Sequence, residues 1–194
     1  LLHSSIPSPL LAQLEAEIAG QGHDISVIKA QEDWFAQAPV IKHYTKEMYY
    51  RLLAFRYLPE HLDKVLYLDP DILIINSIRP LYNTDINNYL YAACFHNNLP
   101  VRKINKLRLK AYEMEEYFNS GVLLMNLERQ RKHINEEEIF SYVSQYRNRL
   151  ILPDQDVLNA LYSNQIKKVD EALYNYDTRQ YSYYKLRSNG EVDM

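Results

Sequence analysis

The stretch "KVLYLDPDILII", residues 64–75, sets Asp69, Pro70 and Asp71 between two apolar runs, Val65–Leu68 and Ile72–Ile75. Each run reads as strand buried on both faces. A carboxylate in such surroundings is costly unless it is paired or bound to a cation. Two readings follow. Either Asp-Pro-Asp opens a sharp turn into water, or the two charges hold something. In an extended segment residues i and i+2 share a face, with Cα atoms roughly 6.5–7 Å apart, so Asp69 and Asp71 can converge on one cation, directly or through water. Oxygen ligands of this kind suit Mg²⁺ or Mn²⁺ better than zinc. Pro70 holds the bend and offers no donor to a neighbouring strand.

Working outward, "LLHSSIP" reads as a strand and "SPLLAQLEAEIAGQG" as a helix, with Ser8 as cap, Pro9 in the first turn and Gly20 or Gly22 at its end. "DISVIKA" alternates like a second strand, which makes the opening a parallel βαβ unit. "TKEMYYRLLAFRYLP" reads as a helix capped by Thr45 and stopped before Pro59. The strand "KVLYLD" follows, and open α/β sheets bind ligands just beyond such carboxyl ends. "YLYAACFH" (89–96) and "GVLLMNL" (121–127) read as buried strands. "NEEEIFSYVSQYRNRL" is a helix with Asn135 as cap and Glu138 in the capping-box position. "DQDVLNALYSN" is another, and "IKKVD" a short strand. Strands alternating with helices predict an α/β fold with a mainly parallel (mixed) sheet flanked by helices. A length of 194 residues suits one domain. The chain opens without methionine on a strand in progress, so it is expected to be a fragment of a longer protein.

Composition narrows the function. At −3, the net charge gives no global basic field for nucleic acid. A lone Cys94 can form no internal disulfide and no cysteine metal site, which favours a reducing compartment. No apolar run approaches the ~18 residues of a membrane span. With four glycines, the chain has neither G-x-G-x-x-G nor G-x-x-x-x-G-K-[ST], so a nucleotide needs another grip.

Residues 43–82, "HYTKEMYYRLLAFRYLPEHLDKVLYLDPDILIINSIRPLY", closely resemble glycosyltransferase family 8, the retaining nucleotide-sugar transferases that include lipopolysaccharide galactosyl- and glucosyltransferases and glycogenin. That pattern has a helix with Tyr-x-Arg-Leu, then a strand ending "YLD-x-D". "YFNSGVLLMNLERQRK" (117–132) and "DQDVLN" (154–159) resemble two further blocks of the family, in the right order and spacing. The resemblance implies a single GT-A-like domain over 1–194, incomplete at both ends, of the nucleotide-diphospho-sugar transferase type. Asp69 and Asp71 would bind Mn²⁺ or Mg²⁺, which would bridge the diphosphate of UDP-galactose or UDP-glucose. The hexose would go to a hydroxyl of a glycan acceptor.

Residue by residue, Arg51 in "YYRLL" matches an arginine that reaches the donor sugar and phosphate; otherwise it is a surface ion pair. Asn119 in "FNSG" matches a donor-sugar contact; otherwise it belongs to a turn. His43 falls where some members carry an acceptor-side histidine, and His96 near an acidic donor contact of some relatives. Asp154 would hold donor hydroxyls and Gln155 would lie near the anomeric carbon, the pair forming the catalytic centre. Without the family, "PDQD" reads as a helix start, with Asp154 as cap and Asp156 complementing the dipole. Retention ordinarily calls for a carboxylate nucleophile; an amide is a poor substitute, and a front-face route competes. "VRKINKLRLK" (101–110) reads as a solvated face, a lid over the diphosphate, or a contact with anionic lipid. Tyrosines 174, 176, 181, 183 and 184 suit packing or sugar stacking. The family's first strand and its C-terminal histidine block have no counterpart here. The resemblance implies work on the cytoplasmic side, with peripheral contact at the inner face of the membrane. Two alternatives stay open: a nucleotide-sugar-binding protein without catalysis, and a glycogenin-like self-glucosylating enzyme. A metal-dependent phosphohydrolase would need more clustered carboxylates and histidines.

Overall fold

A computed structural model describes residues 1–30, 46–95, 99–176 and 185. The chain's contacts gather into two compact units, Leu1–Tyr50 and Arg51–Met194.

In the first unit, β1 (Leu2–His3) and β2 (Ile28–Lys29) pair in parallel with α1 (Ser8–Gly20) between them, and Leu2 stands opposite Ile28. This is the expected βαβ unit, since parallel neighbours need a crossover. Pro7 rather than Ser8 takes the cap position, and no side chain caps the helix. Pro9 fits the first turn, where a missing N–H costs nothing. Past the helix end, Gly22 adopts φ +79°, the left-handed conformation that terminates helices most cheaply in glycine. A 3₁₀ turn covers Lys46–Tyr49, and the Ser4 hydroxyl donates to Glu47. Thr45, the expected cap, lies outside the described residues.

The second unit begins within α2 (Tyr50–Tyr57) and continues through β3 (Lys64–Leu68), α3 (Arg79–Tyr82), β4 (Tyr91–Phe95), α4 (Leu99–Leu109) and β5 (Phe118–Asn126). After these come α5 (Leu127–His133), α6 (Glu136–Tyr146), α7 (Pro153–Tyr162), β6 (Ile166–Val169) and α8 (Glu171–Tyr174). The sheet order is β3-β5-β4-β6. β5 runs antiparallel to β3, with Leu68 opposite Val122, and antiparallel to β4, with Tyr91 opposite Met125. β4 and β6 are parallel, Tyr91 opposite Ile166. The α/β class and the mixed sheet are as expected. The parallel share of this sheet is smaller than strand–helix alternation implied, because the α4 connection returns β5 antiparallel beside β4.

Val122 to Met125 of β5 are buried, as befits a central strand, and Leu124 packs with Ile86 and Ala92. Cys94 is buried in β4, and burial, with Glu171 and Asp170 nearby, pushes its thiol up to about 12. Asn135 caps α6 by accepting from the Glu137 N–H at 2.9 Å. Ile72–Ile75 is the clearest departure. No strand forms there, and Leu73 is 84% exposed. Pro70 explains the break: Ile72 N–H donates to the Asp69 carbonyl at 3.3 Å, closing a turn with proline at its second position, which proline's fixed φ favours.

"VRKINKLRLK" folds into α4 and the short turn after it. Arg102 donates to the Glu115 carbonyl at 2.8 Å, and Arg108 pairs with Asp156. With Lys106, which donates to the Tyr112 carbonyl at 3.3 Å, three of its five basic residues therefore bond within the protein, which a wholly solvated face would not do. Among the described residues no helix is long and apolar enough to cross a membrane.

Candidate functional site

Arg51 lies in the first turn of α2, the helix that precedes β3, and Asp69 follows the last residue of that strand. Arg131 of α5 fixes the connection, donating to the carbonyls of Phe55 (3.1 Å), Pro59 (3.0 Å) and Leu62 (3.0 Å). Arg51 Nη2 thus lies 2.8 Å from Asp69 Oδ1, and its Nη1 lies 3.1 Å from Asp154 Oδ2. One guanidinium joins two carboxylates that are 85 residues apart in sequence. With the Arg51 side chain only 17% exposed, the surface ion-pair reading does not describe it.

Tyr67 completes this side. Two residues before Asp69 it shares the same strand face, and its hydroxyl donates to Asp69 Oδ1 at 2.6 Å while its ring lies 4.7 Å from the Arg51 guanidinium carbon. Burial, and then the bond to Asp69, push its phenol above the ordinary range, so it stays a donor at neutral pH. Asp69 itself extends the ladder: its N–H donates to the Gly121 carbonyl at 2.8 Å. The i, i+2 convergence expected of an extended Asp69–Asp71 does not apply, since Asp71 sits in the turn and is exposed.

β5 supplies the floor. Asn119 lies within the strand and not in a turn; its Oδ1 accepts from Gly121 N–H and from Asn175 Nδ2, both at 2.7 Å. Ser120 Oγ donates to Asp154 Oδ2 at 2.9 Å, and Arg51 Nη1 reaches the Ser120 carbonyl at 3.1 Å. Gly121 must lack a side chain, because a Cβ there would stand 2.9 Å from Asp69 Oδ2 and 3.1 Å from Asn119 Oδ1. Glycine inside a strand marks such close approaches.

α7 brings the last two candidates. Leu152 is its cap position and Pro153 its first residue, so Asp154 is inside the helix and does not cap it. Asp154 faces Arg51 and Ser120, and Gln155 Oε1 accepts from Ser120 N–H at 3.2 Å. Asp156 turns away into the interior with no exposed surface. There it accepts from both Arg108 terminal nitrogens (2.7 Å each), Tyr117 OH (2.6 Å), Ile151 N–H (2.7 Å) and Leu152 N–H (3.1 Å). Asn159 ties the same helix to β5, accepting from Phe118 N–H at 2.6 Å and donating to its carbonyl at 2.7 Å. The structure therefore gathers Arg51, Asp69, Asn119, Asp154 and Gln155, with Asp71 on the adjoining turn. His43, His96 and the tyrosines at 181, 183 and 184 lie outside the described residues.

Sequence reasoning missed Tyr67, Ser120, Tyr117, Arg108 and Asn159. The i, i+2 spacing could have revealed Tyr67. Nothing in the sequence relates Arg108 to an aspartate 48 residues away.

The donor set is two carboxylates joined by a short turn, with Gly121 leaving Asp69 Oδ2 uncrowded. Oxygen donors of this kind fit Mg²⁺ or Mn²⁺, which keep waters and take only one or two carboxylates beside a substrate's phosphates. Among the described residues no group of three or more His, Cys, Asp or Glu is clustered for a metal. Arg51 Nε is buried with no hydrogen-bond partner.

A mixed α/β sheet with such a site at the end of a strand is the architecture of GT-A glycosyltransferases. The galactosyltransferase LgtC, solved with donor and acceptor sugar analogues, superposes with a TM-score of 0.81 at 29% identity, over 98% of this chain and 73% of that one. The chain belongs to glycosyl transferase family 8, whose pattern matches residues 13–193. It is 31% identical over 138 residues to the lipopolysaccharide 1,2-glucosyltransferase of Escherichia coli K12, covering 71% of this chain and 40% of the relative. With general stress protein A of Bacillus subtilis it shares 27% identity over 160 residues, 79% of this chain and 54% of the other. The chain thus spans 40% and 54% of the length of these last two relatives.

Gly121→Ala tests how closely the carboxylate must sit. The added methyl has to displace Asp69, which Arg51 and Tyr67 hold. We expect a stability loss of about 1–2 kcal/mol from overpacking. Thermal melts check it; an unchanged melting point would show that Asp69 tolerates the shift.

Proposed function

We propose that the protein is a retaining hexosyltransferase that moves galactose or glucose from a UDP-sugar to a hydroxyl of a glycan. The convergence of Arg51, Asp69 and Asp154 at the end of β3 carries the reading. A cation and two carboxylates at one strand end supply both signs of charge that a sugar diphosphate needs. Arg51 would face the phosphates or sugar, Asp154 and Asn119 the sugar hydroxyls, and Asp69 with Asp71 would hold Mn²⁺ or Mg²⁺. When bound, that ion would stabilise negative charge on the departing UDP. The residues themselves orient the sugar and hold the leaving side in a fixed, partly desolvated frame. The lipopolysaccharide glucosyltransferase among the relatives supports a surface glycan as acceptor. His43 is the proposed acceptor contact.

Calorimetric titration of UDP, with and without Mn²⁺, into wild type and Asp71→Asn tests this. We expect metal-dependent binding that the substitution weakens by about tenfold or more, the scale of one lost ionic ligand. Binding indifferent to both metal and substitution would remove the proposed donor site.

A further inference from the structure

Asn119 of β5 meets Asn175, the residue that ends α8. Asp170 follows β6 and caps α8 by accepting from the Ala172 N–H at 2.9 Å, and Asn175 closes that turn with its own N–H on the Glu171 carbonyl at 3.2 Å. Asn175 Nδ2 then donates to Asn119 Oδ1 at 2.7 Å. One unambiguous donor orients both amides. The Gly121 N–H, 2.7 Å away, belongs to the backbone, so the Asn119 atom that faces it is the oxygen. That same oxygen meets Asn175, so the Asn175 atom there is the nitrogen. An amide's oxygen and nitrogen are told apart only by such partners.

Two polar groups are left over. Among the described residues, no hydrogen bond takes up the Asn119 NH₂ or the Asn175 carbonyl oxygen. Both side chains are half-buried. The first group only donates and the second only accepts. Oxygen and nitrogen of an amide share a carbon, so each leftover group stands one covalent angle from the 2.7 Å contact. A tie between α8 and β5 would need no more than that contact. The pair complements a group whose single oxygen both accepts and donates. That describes a hydroxyl, whereas an ionised phosphate oxygen only accepts.

We propose that Asn175 is a specificity-determining residue: together with Asn119 it grips one hydroxyl of the transferred hexose, which accepts from Asn119 Nδ2 and donates to Asn175 Oδ1. The proposal rests on the functional reading above and deepens it, adding a side chain that reads whether this hydroxyl is present. Asn175 also holds the Asn119 oxygen in place, and so fixes the direction of the opposite NH₂.

Initial rates with UDP-galactose, UDP-glucose and their monodeoxy-hexose analogues, on wild type and on Asn175→Ala, test this. On the better of the two hexose donors, Asn175→Ala should lower kcat/KM by about tenfold, the upper scale of one neutral hydrogen bond. Removing the gripped hydroxyl should lower the wild-type value by about tenfold or more, and that of the variant by no more than about threefold. The other deoxy analogues should lose alike in both proteins. Asn119→Ala should erase the discrimination at the same hydroxyl. A residue that served only as a tie would lower every donor by one common factor. Equal losses on every analogue, or different hydroxyls for the two variants, overturn the paired grip and leave the functional reading standing. So does a wild type indifferent to every deoxygenation. A wild-type protein that transfers neither hexose overturns the functional reading first and this inference with it.

Discussion

Asp156→Asn should lower the free energy of unfolding by about 3–5 kcal/mol, the cost of removing one partner from a buried ion pair. The carboxylate has no exposed surface and meets two guanidinium nitrogens, a phenol and two backbone N–H groups. Asparagine keeps one acceptor oxygen and turns an NH₂ toward donors. Arg108 is then left partly buried without its counter-charge. Burial alone would lower the Arg108 guanidinium's pKa, and the bonds and charge of Asp156 outweigh that and hold it raised. In a chain of this size the melting temperature should drop by about 10 °C or more. Urea denaturation checks the free energy directly. A loss below about 1 kcal/mol would mean that water or a rearranged Arg108 replaces the carboxylate, contrary to the usual asymmetry of buried pairs.

Asp69→Asn should do the opposite: spare the fold and remove the activity. Asp69 is about a quarter exposed, and Tyr67 can still donate to the remaining carbonyl oxygen. We expect at most about 1 kcal/mol of destabilisation, as for a partly solvated pair. Hexose transfer should fall by at least about 100-fold, since the charge facing the proposed diphosphate site is lost along with one arm of the Arg51 bridge. Initial rates with UDP-galactose and UDP-glucose, beside a melting curve, separate the two. A variant that keeps its rate within about threefold would sink the assignment of Asp69 to the donor site.

Local signals made much of this architecture legible. Alternation and turn residues located β3, β4, β5, β6 and the helices α1, α6 and α7, because each has its own periodicity or punctuation in the chain. The direction of β5 was not legible. It is set by how the α4 connection returns, and no local pattern encodes that. Ile72–Ile75 misled because hydrophobicity alone suggests burial, whereas Pro70 diverts the backbone out of the sheet. At the site, Arg51, Asp69, Asn119, Asp154 and Gln155 stood out through their motifs. The residues that hold them in place did not. Ser120 looks like turn filler, Asn159 like an ordinary helix residue, and Arg108 like one more charge on a basic face. Each acquires its role only from a partner at least 34 residues away.

The first turn of α7 works as a three-way sorter. Successive residues on a helix point about 100° apart, at 3.6 residues per turn. Asp154 is thereby delivered to Arg51, Gln155 to the β5 backbone and Asp156 to the interior. Two identical carboxylates receive unlike environments purely from their phase on the helix. Adding or deleting a single residue between Leu150 and Pro153 would rotate the set, and could leave the interior cation facing an amide and an acid facing the backbone. The length of this short approach is consequently a tighter constraint on the protein than the identity of the exposed residues, Ile151 and Leu152, that compose it.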